Sequence, residues 1–509
     1  MSRFYVTTAI PYVNARPHLG FALEAVQADV LARHHRRRGD EVRFLTGTDD
    51  NSLKNVLAAE AEGLSTADLV DRNAEAFAAL REPLALSFTD FIRTSRDDRH
   101  RAGVERLWRA CADAGDFYRE HYDGLYCVGC EQFYAPGELV AGKCPEHDVE
   151  PRRVAEENWF FRLSRHQDRL HDLISSGAVR VEPAVRRNEV LAFIAAGLRD
   201  FSASRSRVRA RGWGIPVPGD PDQVVYVWWD ALGNYISSLG YGTGSPDYRR
   251  WWVEDGRRVH VIGKGVVRFH AVYWLALLLS AGEPLPTDIL VHDHLTTDGR
   301  KISKSAGDVV DLAARYGTDA VRWWLVREVA RVGDTDFTVP RLVSRADEDL
   351  ANGLGNLVSR VTALVHRYRD GRPPVAEPDP GADPLLTACR DAPDLVHEAL
   401  TDFDFRRATA AVWRIVEEAN RHVERVRPWE LARAERGGDV AAGRRLDATI
   451  TALLTACRAL ARELAPFLPT SAERISEQCT PLAGALPRTR ALFPRLSPTP
   501  PTITPARPR

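Results

Sequence analysis

Apolar and β-branched residues crowd Phe4 to Ile10, turn-forming residues run from Pro11 to Pro17, and Leu19 to Arg37 repeats apolar positions at helical spacing until Gly39 ends the run. Val42-Arg43-Phe44-Leu45 reads as a second strand. This opening predicts a parallel, right-handed βαβ unit whose ligands sit beyond the carboxyl ends of its strands. The pattern changes between about 116 and 224, where a cysteine cluster, short aromatic runs and the turn-rich Gly214-Ile215-Pro216-Val217-Pro218-Gly219-Asp220-Pro221 mark an insertion. Strand and helix patterns resume at Val224-Val225-Tyr226-Val227. They continue through Val259-His260-Val261-Ile262, a long apolar helix from Val266, and Ile289-Leu290-Val291, so the sheet is expected to resume there. From about Leu342 to Leu468 only helical periodicities occur, such as Leu350, Leu354, Leu357 and Val361, which predicts an all-helical domain. The stretch from Leu496 to Arg509 is rich in Pro and Thr with almost nothing to bury, and disorder is expected. No internal repeat is visible.

At 509 residues the chain exceeds what one core accommodates, and a prior of about 150 residues per domain gives three or more modules. The longest plainly apolar stretch, Ala271 to Leu279, falls well short of the roughly 20 residues a membrane helix needs. The first residues lack the features of an export signal, so a cytoplasmic location and no membrane partner are expected. Cys127, Cys130 and Cys144 fall close together while the other four cysteines are scattered, which argues against a disulfide framework. A net charge of −1 leaves only a local basic face to attract nucleic acid. Only Lys54, Lys143, Lys264, Lys301 and Lys304 among the 69 basic residues are lysines, a bias that GC-rich coding explains. Two of the five standing three positions apart point to a site that needs a compact, mobile ammonium.

Three segments carry candidate chemistry. His18-Leu19-Gly20-Phe21 opens the first helix, where unpaired backbone amides favour an anion and Gly20 allows close backbone approach. Taken alone, a histidine beside a helix start is more often a capping or surface residue. The run from Asp298 to Gly307, containing Lys301-Ile302-Ser303-Lys304-Ser305, reads as a polar loop whose two ammonium groups can follow phosphate charge, or else as a solvated basic turn. Cys127-Val128-Gly129-Cys130, thirteen intervening residues, then Cys144-Pro145-Glu146-His147 has the spacing of two zinc knuckles. Four protein ligands leave no open position, which makes the expected zinc structural.

The combination resembles the class I aminoacyl-tRNA synthetases, specifically the methionyl-tRNA synthetase family, over nearly the whole chain. The resemblance runs through Tyr5 to Asn14, Phe44 to Asp49, Tyr226 to Ala231, Arg268 to Trp274 and Lys301 to Ser305. It implies an α/β, Rossmann-type catalytic domain in two halves, 1–115 and 225–341, interrupted by a connective zinc-knuckle insertion at 116–224. An all-α anticodon-binding-type domain follows at 342–495, with a tail at 496–509. It also implies an ATP-dependent aminoacyl ligase that forms an aminoacyl adenylate, with magnesium accompanying ATP, and passes the acyl group to tRNA.

By this resemblance His18, Lys301 and Lys304 are catalytic, and Gly20 and Gly263 join them in the ATP site. The methionine pocket maps onto Ile10, Tyr12, Asp49, Trp228, Ala231, Tyr235, His270 and Trp274, with Asp49 holding the ammonium group. Helical spacing puts Trp228, Ala231 and Tyr235 on one face, and Val266, His270 and Trp274 on another, so aromatic walls could enclose a thioether. Without the resemblance, core packing is the ordinary reading of such stripes. Asn356, Arg360 and Trp429 match the positions with which the family reads an anticodon.

Three departures from the family pattern cluster at the implied active site. Phe21 replaces a histidine, Asp49-Asp50-Asn51-Ser52 stands where the family has Asp-Glu-His-Gly, and Gly265 replaces an aspartate. Besides a working synthetase for methionine or a related amino acid, three readings therefore stay open. One is a diverged paralogue that hands an activated amino acid to a small nucleophile such as a hydroxylamine. Another is a noncatalytic tRNA-binding protein. The third, a metal-dependent nucleotide enzyme unrelated to tRNA, needs an open zinc site, which the four-ligand spacing argues against.

Overall fold

The computed structural model describes residues 2–129, 131–134, 136–145, 148–297, 299–301, 308–377 and 384–496. Cys130, His147, Lys304 and the tail from 497 onward lie outside them, as does the side chain of Lys301. The chain forms two compact units, one built from 1–82, 86–294 and 302–309, the other from 83–85, 295–301 and 310–509.

The first unit is organised by six parallel strands, β1 (Arg3–Thr8), β2 (Glu41–Thr48), β3 (Asp90–Arg93), β4 (Arg180–Glu182), β5 (Arg257–Gly263) and β6 (Asp288–His292). Their order across the sheet is β3-β2-β1-β5-β6-β4. The order reverses between β1 and β5, and a crevice for ligands opens at such a switch point beyond the carboxyl ends of the strands. Strands β1, β2, β5 and β6 are the four whose apolar runs mark them in the sequence, as expected for parallel strands covered on both faces.

The helix Leu19–Arg37, α1, crosses from β1 to β2 with most of its residues buried, and its last turn carries His34, His35, Arg36 and Arg37 at the negative end of its dipole. Gly39, with φ at +86°, turns the chain into β2.

Two expectations need correction. The insertion is not wholly separate from the sheet, because β4, within 116–224, pairs with β6 as the sixth strand. The run at Val224–Val227 is not a return to the parallel sheet. Asp220–Val225 pairs antiparallel with Ser204–Ser206 and Pro216–Val217, and a helix starts at Val227. A four-stranded antiparallel sheet of Gln132–Tyr134, Phe117–Cys127, Arg152–Phe161 and Phe201–Ser202 completes the inserted segment.

The second unit pairs Leu295–Thr297 with Arg300–Lys301 and Thr335–Asp336, then continues in helices including Asn356–Arg369, Phe405–Val426, Pro428–Arg436 and Val440–Leu464. Lys301 thus closes a tight hairpin, with Gly299 at φ +70°, where the sequence suggested a loop. The buried Arg322 guanidinium donates to the carbonyls of Phe467, Leu84 and Pro466 at 2.8, 2.9 and 3.0 Å, which satisfies its N–H donors inside the unit. Among the described residues no helix is long and apolar enough to cross a membrane.

Candidate functional site

The residues that follow β1 and β2 meet at the switch-point end of the sheet. Tyr12 and Asp49 form a parallel bridge, and the Asp49 amide donates to the Pro11 carbonyl at 2.9 Å. Asp49 is buried, and Asn55 Nδ2 donates to its backbone carbonyl at 3.0 Å. Burial first, then the neighbouring carboxylates of Asp230, Glu131 and Asp50, push the Asp49 carboxyl well above its ordinary range. Such a group gains from a cationic partner.

Aromatic rings build the wall beside it. Trp228 stacks on Phe269 with centroids 3.8 Å apart and meets Tyr12 edge-on at 6.1 Å. Ala231 is buried on the same short helix, Val227–Leu232, and Gly233 separates that helix from Asn234–Ser237, which carries Tyr235. Phe269–Trp274 is a π-helical turn, wider than the α-helical spacing assumed from the sequence, and it carries His270 and Trp274. Tyr235 Oη lies 2.7 Å from His270 Nε2, and Trp274 Nε1 donates to His260 Nε2 at 3.1 Å. Ile10 packs at the margin of the same core. The eight residues of the implied pocket thus lie on connected elements of one unit.

Helix α1 begins after the turn that follows β1. His18 caps it, Nδ1 accepting the Gly20 amide proton at 3.1 Å, so the ring's own proton sits on Nε2. A Cβ at position 20 would stand 2.9 Å from His18 Cε1, so glycine is what lets the imidazole fold back onto the helix start. Glu24, one turn on, accepts from the Ala9 amide at 2.6 Å and meets His292 Nε2 at 3.1 Å, tying the ends of β1 and β6 together. Gly263 ends β5 with His292 close by.

Several residues of this region have no site role assigned to them from the sequence. His260 sits inside β5, where its Nδ1 meets Thr7 Oγ1 at 2.8 Å. Asp230 meets His100 Nε2 and accepts from Asn51 Nδ2. Glu131 accepts from the Lys54 amide and from Tyr126 Oη, each at 3.1 Å. These groups converge from distant segments, and only the fold reveals them.

Comparison with known proteins bears on the whole chain. The family model described as tRNA synthetases class I (M) matches residues 4–154 and 147–362. A methionine–tRNA ligase of Mycobacterium bovis is 40% identical over 502 residues, covering 96% of this chain and 94% of the relative. That of Caldanaerobacter subterraneus subsp. tengcongensis is 38% identical over 482 residues, covering 93% of this chain and 73% of the relative. The chain belongs to the class I tRNA synthetases of the methionyl type. The solved structure of Mycobacterium tuberculosis methionyl-tRNA synthetase in complex with methionyl-adenylate superposes with a TM-score of 0.91 at 38% identity, covering 97% of this chain and 100% of that one. The family consists of ATP-dependent aminoacyl ligases.

In this class I synthetase the three departures have distinct surroundings. Phe21 is buried edge-on against Phe77 at 5.1 Å, so the position has become part of the apolar packing. Ser52 caps the helix Leu53–Glu62 by accepting from the Asn55 amide at 3.2 Å, and Asp50 pairs with Arg93 at 3.0 Å. Gly265 lies exposed in a single 3-10 turn after β5.

Of the four sequence-predicted metal ligands, Cys127 and Cys144 are buried in one small cluster with Tyr134, while Cys130 and His147 lie outside the described residues. Two buried thiols in one cluster fit a thiolate-bound zinc, though no group of three ligands occurs among the described residues. In the second unit Asn356 and Trp429 are exposed and Arg360 is half-buried, on helices that Arg369 links through Glu435 and Asp447.

Proposed function

We propose that this chain activates methionine with ATP as methionyl adenylate and transfers the methionyl group to the terminal ribose of tRNA. The observation that carries the reading is the buried Asp49 at the end of β2, bridged to Tyr12, whose ring meets Trp228 in the unit that also holds the packed Tyr235, His270 and Trp274. A carboxylate for the ammonium group beside an apolar, polarisable enclosure suits an unbranched thioether amino acid.

In the first step a carboxylate oxygen of the amino acid attacks the α-phosphorus of ATP, and the bond to the pyrophosphate oxygen breaks. His18 Nε2–H, Lys301 and Lys304 stabilise the developing phosphoryl charge, with Gly20 and Gly263 giving the nucleotide close access to backbone. Magnesium accompanies the ATP phosphates and neutralises part of their charge. In the second step a ribose hydroxyl attacks the acyl carbon and AMP leaves. Asn356, Arg360 and Trp429 read the anticodon by hydrogen bonding and stacking. Cys127, Cys130, Cys144 and His147 would hold a structural zinc, which would cross-link the knuckle.

The test is ATP–pyrophosphate exchange with each amino acid in turn, followed by charging of tRNA. Exchange led by methionine and followed by charging is the expected result. Exchange without charging overturns the tRNA step, and no exchange overturns the activation step.

A further inference from the structure

Asn51, which stands where the family carries histidine, contacts two carboxylates at once. Its backbone N–H donates to Asp49 Oδ1 at 3.3 Å, and its side-chain Nδ2 donates to Asp230 Oδ2 at 2.7 Å and to the Thr94 carbonyl at 3.3 Å. Both partners of Nδ2 are acceptors, which fixes the orientation of the amide. The other oxygen of Asp230 meets His100 Nε2, and His100 Nδ1 lies 2.9 Å from Ser237 Oγ. Asp49, Asp230 and His100 are all at most 1% exposed.

We infer that Asn51 is a positioning residue of the amino-acid site, which holds Asp49 through its backbone N–H and Asp230 through its side-chain amide so that both carboxyl groups act on the substrate's ammonium group. The inference rests on the reading of this region as an amino-acid activation site. Placing two buried carboxyl groups this close is costly for their charged forms unless a cation arrives. Asp49 touches the cation, and Asp230 adds to the local field. Asn51 sets the separation. A chain with this arrangement discriminates an α-amino acid from the α-hydroxy acid of the same carbon skeleton, because a hydroxyl offers one neutral donor and no charge to the two carboxyl groups.

The test uses ATP–pyrophosphate exchange by the full chain with methionine and with its α-hydroxy analogue. Asn51→Leu keeps the backbone donor and removes the side-chain one. Its KM for methionine is expected to rise about tenfold, the loss of roughly one hydrogen bond to a charged group, with kcat within about twofold. The preference for methionine over the hydroxy acid falls by about the same factor, a change that a purely structural role would not produce. Asn51→His, whose ring can donate to Asp230, is expected to recover most of the KM and the preference. If Asn51→Leu does not fold, Asn51→Gln carries the same expectation, because it moves the amide by one methylene. Unchanged KM and preference in a folded, active variant overturn the inference alone. Absence of exchange by the unsubstituted chain with every amino acid overturns the activation reading and this inference with it.

Discussion

Tyr235 gives its hydroxyl proton to His270 Nε2 over 2.7 Å, because the imidazole's own proton, on Nδ1, is committed to the Val266 carbonyl at 2.9 Å on the other side of the ring. The pair therefore needs a neutral imidazole, and burial pushes His270 down from 6.5 to about 4. An unfolded histidine protonates near pH 6.5 while the folded one does not. The stabilising effect of keeping His270 neutral is thus complete above that pH and is lost progressively as pH falls towards 4, by up to about 3 kcal/mol. Unfolding midpoints measured from pH 7 to pH 4 should decline more steeply for the parent chain than for His270→Gln. Equal slopes would place the pH sensitivity in other groups.

Asp49 gives a prediction of the opposite kind. Burial and neighbouring carboxylates raise its pKa in the free site, whereas a bound ammonium lowers it again. Amino-acid binding should therefore expel a proton wherever the pH lies between the lowered bound value and the raised free value, and affinity should improve as pH rises through that window. Calorimetric titration with methionine in buffers of different ionisation enthalpy measures the release directly. Asp49→Asn should abolish both the release and most of the binding. Binding by the parent chain with no buffer dependence would show that Asp49 is already ionised.

What could be read beforehand follows from physical causes. Strands β1, β2, β5 and β6 are covered on both faces and so appear as apolar runs, and the helix from Leu19 begins and ends where its cap and Gly39 say. Strands β3 and β4 stayed hidden because Asp90-Phe91-Ile92-Arg93 and Arg180-Val181-Glu182 are short edge strands with charged ends, too brief for a period of two to stand out. Val224–Val227 misled because an apolar run of four residues fits a strand or the start of a buried helix equally well, and here the chain changes from one to the other at Tyr226. At the site, the contiguous motifs carried Asp49, Trp228 and His270. His100 and Asp230, 130 residues apart, meet only through the fold, and nothing in either neighbourhood announced the contact.

Trp429 is 44% exposed at the start of the helix Pro428–Arg436, where Pro428 fixes the first turn and Arg427 adopts a left-handed conformation. Leaving a large indole in water gains nothing for the fold, and a base stacked on it would recover about 1–3 kcal/mol. Trp429→Ala should weaken tRNA binding by roughly ten-fold or more while leaving ATP–pyrophosphate exchange unchanged. Filter binding with tRNA, run beside the exchange assay, separates the two. Unchanged tRNA affinity would assign the helical unit another role.

The knuckle region offers the sharpest test of the metal. Among the described residues its apolar core consists of Cys127, Tyr134 and Cys144 with Leu139 packed against them, which is little for a segment of that length to hold itself together. The Cys144 amide donates to Val149 O at 2.8 Å and its carbonyl accepts from the Asp148 amide at 2.9 Å. A four-ligand cross-link supplies what the core lacks, and losing one thiolate should release the ion. Purified Cys144→Ser is expected to contain no zinc and to be cut by protease between Cys127 and Val149 much faster than the parent chain. Retention of one zinc per chain by that variant would remove Cys144 from the ligand set.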